Sequence, residues 1–462
     1  MHTPERPSQA SKTAPKAGER KLPGRGVRTL VLSALAAVIL SIPIAAALAY
    51  FRVSPLDLPA ALEATFDRRS DGEKFIGSAQ TRLTNNPNDP KAMAGLAAAY
   101  LVRVRETADP TYYQKAGELL DRATAINAND PEITVTAGSL ALSRHDFATG
   151  LRWAQLSVQL APNRPAAYGI LTDALVELGR YDEAVASAQK MVDLRPDLAS
   201  LSRVSYLREL HGDLDGAIDA MRRAVAAGAP RSEGTAWSEV QLGHLLFAKN
   251  DLDAADQVYA SSLERVDNYV YGLAGRARVK AARGDLAGAA DLYADAARRL
   301  PVPDVVIALG DVYARMGDQA KSQQQYTLVA AMEKLLAANG VRNDVDLALF
   351  DLDRGINAPN ALTAARTEYA ARPSTPVAMI LAWAEHKNGD TAAAYKHMSE
   401  SVRLGWRDPL TLYRAGVISE AAGDMPRAIA FLKESERLNP AFSVLYADDL
   451  ASRLTRLQAA AR

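Results

Sequence analysis

Apolar residues recur every three or four positions along most of the chain, and residues 165–196 show the pattern most clearly. This is the period of amphipathic helices, and a break at residues 179–182 divides it into two short helices joined by a tight turn. A helix of about a dozen residues is marginal alone and must bury its apolar face against a neighbour. The pair is therefore predicted to be stable only when it is stacked on further pairs. The apolar positions are Tyr168, Leu171, Leu175, Leu178, Ala184, Ala188, Met191 and Leu194.

The residue at the break, Gly179, has counterparts along the rest of the chain. A Gly or Asn, mostly followed by Asp, recurs at eight positions that are 33 to 38 residues apart. With two weaker copies upstream, from Pro90 and Pro131, the pattern predicts about ten repeats between Pro90 and Pro440. Ending one helix and starting the next within a few residues requires a left-handed backbone, which Gly and Asn adopt readily. The following Asp can cap the second helix. A left-handed residue is therefore predicted at Gly179, Gly212, Asn250, Gly284, Gly317, Gly355, Gly389 and Gly423.

The repeat resembles the tetratricopeptide repeat (TPR) family, which has a large residue at position 4, Leu at 7, Ala at 20 and Pro at 32. With residue 165 as position 1, these positions hold Tyr168, Leu171, Ala184 and Pro196. Similar copies cover roughly four fifths of the chain. The resemblance implies an all-α fold, a TPR α-solenoid in which helix pairs form a right-handed superhelix.

A stretch of 23 residues without a charge, residues 29–51, is long enough to cross a bilayer as a helix. Residues 1–28 before it have seven basic and two acidic residues in a polar background, which predicts a disordered cytoplasmic tail. The positive-inside rule then places the repeats outside the cytoplasm, as in a bacterial-type membrane-anchored TPR protein with one transmembrane helix. Ala47 and Ala49 leave open a signal cleaved after Ala49, which would make the domain secreted or periplasmic.

The remaining boundaries follow from the repeats. Residues 52–74 contain two prolines and are predicted to form a spacer and first helix, and residues 75–440 form the solenoid. Residues 441–462 are amphipathic and should form a C-terminal capping helix over the exposed end of the stack.

The composition offers little chemistry. The chain has no cysteine, so disulfides, thiol catalysis and cysteine metal sites are excluded, and no histidines stand at metal-ligand spacing. Phosphate-binding loops and nucleophile motifs are missing from the sequence. The net charge is zero despite the basic tail, so the repeat body is negative and nucleic acid is not an expected partner. We expect no enzyme, cofactor or metal. Four acidic residues, Asp344, Asp346, Asp351 and Asp353, are interpreted as a solvated face.

In the TPR family, positions 2, 5, 9, 12 and 13 of each first helix line a concave groove. Carried onto this sequence, the pattern predicts a partner-binding groove rich in aromatic residues and arginine, the residue types that dominate interface energetics. The alternative is that the aromatic side chains pack between repeats. The predicted groove residues are Tyr206, Trp237, His244, Phe247, Tyr271, Arg278, Asp311, Arg315, Trp383, His386 and Tyr413.

These patterns favour a membrane-tethered, non-enzymatic scaffold that binds an extended peptide or an envelope protein of unknown identity. The carboxylate clamp of some TPR proteins uses Lys and Asn at groove positions 5 and 9, where this chain has, for example, Ile307 and Asp311. A second hypothesis is an adaptor in cell-envelope or polysaccharide biogenesis that acts beside a separate enzyme.

Overall fold

A computed structural model describes residues 71–342 and 344–460, and all regular structure within these ranges is helical. The predicted tail (1–28), membrane span (29–51) and nearly all of the spacer (52–74) lie outside the described residues. None of the helices described is both long enough and apolar enough to cross a membrane.

The described part of the chain contains 22 helices, most of them 13 or 14 residues long. They are α1 (Asp71–Asn85), α2 (Pro90–Thr107), α3 (Thr111–Ile126), α4 (Pro131–Ser143), α5 (Phe147–Leu160), α6 (Pro165–Glu177), α7 (Tyr181–Leu194), α8 (Leu198–Leu210), α9 (Leu214–Ala227), α10 (Glu233–Ala248), α11 (Leu252–Arg265), α12 (Val270–Ala282), α13 (Leu286–Arg299), α14 (Pro303–Arg315), α15 (Gln319–Ala338), α16 (Asp344–Arg354), α17 (Ala358–Ala371), α18 (Thr375–Lys387), α19 (Thr391–Ser401), α20 (Pro409–Ala421), α21 (Met425–Leu438) and α22 (Ala447–Ala460).

Helices α2 to α21 form ten consecutive pairs, in which an even-numbered first helix packs against the odd-numbered helix that follows it. In the pair α6 and α7, the contact is made by small residues such as Ala184 and Ala188, which are almost completely buried. Small side chains let the helix axes approach closely, and the buried hydroxyl of Thr172 donates to that of Ser187 at 2.9 Å. The all-helical solenoid predicted from the period is confirmed.

The turns inside the pairs also follow the prediction. All eight turn positions have a positive φ, between 62° and 84°. The aspartate that follows the turn accepts a hydrogen bond from the backbone N–H three residues later and so caps the second helix. This cap occurs at Asp213, Asp251, Asp285, Asp318, Asp390 and Asp424.

The ends of first helices and the turns of the early pairs contact segments between or after much later pairs, along a line that we call the seam. His145 Nδ1 lies 2.8 Å from the carbonyl oxygen of Arg342, and the backbone N–H of Thr375 donates to the Tyr181 hydroxyl at 2.8 Å. Asn439 donates through Nδ2 to the carbonyl oxygen of Phe247 at 2.7 Å. The partners are 192 to 197 residues apart, so the stack winds back onto itself after five to six pairs.

Helix α22 follows the last pair and buries one side against it. Leu450, Leu454 and Leu457 are at most 7 % exposed and belong to the apolar core of helices α16 to α21. Arg453 reinforces this contact by an ion pair with Glu420 of α20 at 2.7 Å. The helix therefore covers apolar surface that the last pair would otherwise expose.

The interpretation of the acidic residues as a solvated face is wrong for Asp351 and Asp353. Asp351 is buried, and Asp353 accepts hydrogen bonds from the Trp383 indole and the Tyr446 hydroxyl at 2.9 and 2.8 Å. Its carboxylate also pairs with the guanidinium of Arg414, which is 1 % exposed, at 2.8 Å. We call these four residues (Asp353, Trp383, Arg414 and Tyr446) the Asp353 cluster. A buried arginine requires such a partner, because an isolated buried charge is very unfavourable.

Candidate partner-binding groove

The eleven residues predicted to line a groove do not share one surface. Phe247, Trp383 and Tyr413 are at most 2 % exposed, so their predicted placement on a solvated face is wrong. Trp383 belongs to the Asp353 cluster, and the Tyr413 hydroxyl donates to Asp449 of α22 at 2.6 Å. For these three the alternative of packing inside the stack is correct.

Four further predicted residues are engaged by partners within the chain. Asp311 pairs with Arg354 and accepts a hydrogen bond from the Tyr326 hydroxyl at 2.8 Å. Arg315 forms an ion pair with Asp448 at 2.6 Å. The His386 ring stacks on Trp383 at a centroid distance of 5.2 Å, and the Tyr271 ring contacts that of Tyr269 at 5.4 Å. A contact with an external partner stays a prediction for all eleven.

The other four predicted residues, Tyr206, Trp237, His244 and Arg278, line one cavity of about 710 Å³, which we call the groove pocket. Its walls are the first helices α6, α8, α10 and α12, together with Met221 of α9 and with Asp408 from a later turn of the winding. Tyr206, His244 and Arg278 occupy position 9 of successive repeats, and Asp173 holds this position on α6. The periodicity of the chain therefore places these four side chains in one row across four helices.

The aromatic side chains of the groove pocket remain accessible. Tyr206 is 39 % exposed and Trp237 is 40 % exposed. The pKa of Tyr206 is nevertheless raised by desolvation, as expected for a ring that faces the inside of a concave surface. Both rings are thus available to a ligand that enters the groove.

His244 is held at the floor of the groove pocket by Tyr259. The Tyr259 hydroxyl lies 2.8 Å from His244 Nδ1, and a Cβ atom on Gly243 or Gly275 would lie 2.3 Å from the Tyr259 ring. Glycine at these two positions therefore makes room for the tyrosine that orients the histidine. Burial, with a smaller contribution from the Arg278 charge, lowers the pKa of His244 to about 3, so the imidazole is neutral at physiological pH.

The charged groups of the groove pocket differ in whether a partner within the protein neutralises them. The Arg278 guanidinium lies 4.1 Å from the ring centroid of Phe247, and no carboxylate pairs with it among the described residues. Arg203 pairs with Asp173 at 2.6 Å, and Glu177 pairs with Arg372 across the seam at 2.5 Å. These two acids are therefore compensated within the protein.

Glu209 on α8 differs from these acids because no basic side chain pairs with it in the part of the chain that the structure describes. Burial and the nearby Asp408 raise the pKa of Glu209 to about 7. The indole of Trp406 lowers it slightly, although the geometry falls short of a hydrogen bond and the buried Nε1 has no acceptor among the described residues. Sequence reasoning missed this residue although it stands at groove position 12. The sequence near Asp408 gave no indication that this residue lines the pocket, because its loop belongs to a later turn of the winding.

We expect His244 to make the free energy of unfolding fall by about 1–2 kcal/mol between pH 6.5 and pH 5. Its pKa is about 3 in the folded protein, whereas an unfolded histidine titrates near 6.5. The unfolded state binds the proton first, so this stabilisation is complete above pH 6.5 and is lost as the pH falls. Urea unfolding at both pH values measures it. His244→Gln keeps a hydrogen-bonding group but does not titrate in this range. Between pH 6.5 and pH 5 this variant should lose less stability than the native protein, and an equal loss would show that His244 is not the cause.

Residues 165–198 match the family model described as tetratricopeptide repeat. Among curated proteins, no sequence matches the chain. Solved structures similar to it include a thermophilic TPR protein from Thermus thermophilus, with 22 % identity over 37 % of this chain and 90 % of that chain and a TM-score of 0.33. A tetratricopeptide repeat protein from Parabacteroides merdae has 19 % identity over 56 % and 98 % and a TM-score of 0.33. The human IFIT1 dimer with PPP-AAAA has 12 % identity over 79 % and 87 % and a TM-score of 0.42.

The matched residues, 165–198, coincide with the pair α6 and α7, whose first helix forms one wall of the groove pocket. The other nine pairs have the same order of first helix, left-handed or tight turn and second helix. The match identifies one tetratricopeptide repeat at residues 165–198, and the other nine pairs of the described chain share its helical arrangement.

Proposed function

We propose that this protein is a non-enzymatic scaffold whose groove pocket binds an extended segment of a partner protein. The observation that carries the proposal is Trp237, a large aromatic side chain that is 40 % exposed inside a concave pocket. Tryptophan, tyrosine and arginine are the residues on which interface affinity most often depends, and the pocket has all three.

The shape of the groove pocket favours an extended segment. Its volume of about 710 Å³ is in the range of ligand pockets, and it runs across four first helices rather than into one cleft. A chain that crosses these helices can place successive side chains against Tyr206, Trp237 and Arg278. The polar wall residues, such as Gln241 and Ser202, can hydrogen-bond its backbone.

Replacing Trp237 by alanine should weaken partner binding by about 2–4 kcal/mol, the usual effect of losing a central tryptophan at an interface. A photocrosslinking amino acid at Gln241, in the pocket wall, would be used to trap the partner in cells. The crosslinked product should disappear in Trp237→Ala and persist in Val185→Ala, which removes an equally exposed apolar side chain from α7, outside the pocket. Equal crosslinking in both variants would rule out the groove pocket as the binding site.

The membrane location is part of this proposal. It is supported by the charge-free residues 29–51 and by the basic residues before them, which favour a cytoplasmic N-terminus and an extracytoplasmic repeat domain. A reporter enzyme that is active only outside the cytoplasm, fused after the last residue, should be active. An inactive fusion would overturn the orientation. The N-terminal sequence of the mature protein distinguishes a retained anchor from cleavage after Ala49.

A further inference from the structure

Among the described residues, two of the four carboxylates in the wall of the groove pocket have no basic partner. Of the four carboxylates in its wall, Asp173 pairs with Arg203 and Glu177 pairs with Arg372. Glu209 and Asp408 have no basic partner in the part of the chain that the structure describes. The Asp408 carboxylate accepts hydrogen bonds from Thr411, through the backbone N–H at 2.7 Å and the hydroxyl at 2.9 Å, and so caps α20.

We propose that the partner segment inserts a lysine or arginine side chain between Glu209 and Asp408, beside the rings of Tyr206 and Trp237. This inference rests on the proposed function of the groove pocket and specifies the chemistry of its ligand. In this proposal Glu209 and Asp408, rather than basic residues that hold a carboxylate, are the main determinants of specificity.

A cation would relieve two unfavourable features of Glu209. The Glu209 carboxylate is partly desolvated and faces the like charge of Asp408, which together raise its pKa. A lysine or arginine between them would replace this repulsion by two charge-assisted hydrogen bonds. The neighbouring Trp406 and Tyr206 do not supply a positive charge, because an indole and a phenol are uncharged.

The aromatic rings add to the attraction. Tyr206 precedes Glu209 by three residues, so both side chains lie on the same face of α8. The faces of tyrosine and tryptophan rings attract cations, and the effect grows when water is excluded. Both rings line the same cavity as Glu209 and are accessible.

The position of Arg278 in the pocket wall indicates that the cation belongs to a longer chain. Arg278 on α12 lines the same cavity and would repel a small free cation. An extended segment can place its positive side chain against α8 and a carbonyl or acidic group against Arg278. A protein segment with a basic residue is therefore favoured over an isolated amine.

The test uses the full-length chain and three fluorescent ten-residue peptides with the same uncharged sequence and a central Lys, Gln or Glu. At pH 8 the lysine peptide should bind about tenfold more tightly than the glutamine peptide, and the glutamate peptide should bind least. Glu209→Gln and Asp408→Asn should each bring the lysine and glutamine peptides close to equal affinity. Asp219→Asn, an exposed acid on α9 outside the pocket, should change nothing.

The variants are chosen so that misfolding does not explain the result. Glu209→Gln removes a desolvated charge and should leave the protein at least as stable at pH 8, and Asn at residue 408 can still cap α20. The preference for lysine should also shrink as the pH falls from 8 to 6, because Glu209 becomes protonated near its pKa of about 7. The neighbours that shift the pKa of Glu209 are Asp408, which raises it, and Trp406, which lowers it. The other titratable or charged groups of the pocket wall are Asp173, Glu177, Arg203, Tyr206, His244 and Arg278.

The outcomes separate this inference from the proposed function. If Trp237→Ala weakens all three peptides while lysine and glutamate peptides bind equally, the pocket binds peptides and the inference is overturned. If Trp237→Ala weakens none of them, the proposed function itself fails. A lysine peptide that does not bind at millimolar concentration also overturns the inference.

Discussion

Replacing Arg414 by alanine is expected to lower the free energy of unfolding of the C-terminal pairs by about 3–5 kcal/mol. Arg414 is 1 % exposed, and its guanidinium pairs with Asp353 through both carboxylate oxygens. The substitution leaves Asp353 desolvated without a counter-charge and also creates a cavity against Trp383 and Met379. Amide hydrogen exchange of α16, α18 and α20, which the Asp353 cluster links, measures the loss.

The matched control for this variant is Arg437→Ala. Arg437 also pairs with a carboxylate, that of Glu434 at 2.7 Å, but 62 % of its side chain is exposed. Exposed ion pairs contribute less than about 1 kcal/mol, so this variant should exchange almost like the native protein. Similar exchange rates in the two variants would show that the Asp353 cluster does not stabilise the C-terminal pairs.

Replacing Gly212 by alanine should destabilise the protein by about 2–5 kcal/mol, from two separate causes. Its φ of 78° strains any residue with a Cβ atom, which costs about 1–2 kcal/mol. In addition, the new Cβ would lie 2.3 Å from the carbonyl oxygen of Gly405 across the seam. Such an overlap costs about 1–3 kcal/mol more or forces the seam apart. Thermal or chemical unfolding of the purified protein gives the total.

The chain has its own control for the second cause. Gly284 has a φ of 84°, in the same backbone region as Gly212, but nothing lies within 4 Å of an added Cβ atom. Gly284→Ala should therefore show the backbone strain alone. At Gly179 an added Cβ would lie 2.6 Å from the carbonyl oxygen of Pro373, so Gly179→Ala should resemble Gly212→Ala. If all three variants were equally destabilised, the seam would contribute nothing measurable.

The sequence was sufficient to predict the features that depend on neighbouring residues. The period of three to four predicts the helices, and the left-handed turns at Gly179 and Gly284 follow from the need to reverse the chain within a few residues. The caps at Asp213 and Asp285 follow for the same reason. These features are repeated in almost every pair, so a single accurate copy is enough to locate the others.

Features that depend on contacts outside the repeat pattern were not predictable. Trp383 stands at groove position 9, as His244 and Arg278 do, yet it is buried because Arg414 and Tyr446 approach it from later elements. Asp408 lines the groove pocket only because its loop crosses the seam. The repeat pattern assumes that every first helix has the same surroundings. This assumption fails at Trp383, next to the segment before α22, and at Asp408, where distant pairs meet.

The seam also affects the order in which the protein can reach its final stability. In a simple solenoid, each repeat touches only its neighbours and can fold as soon as it has been synthesised. Here the turns at His145, Tyr181 and Gly212 acquire their partners only from Arg342, Thr375 and Gly405. Until these later segments have emerged from the ribosome, the early pairs of a nascent chain would expose the surface that the seam covers in the folded protein. Truncations that remove residues 342 onward should therefore make residues 145–250 more sensitive to proteases, although these residues are far from the deletion in the sequence.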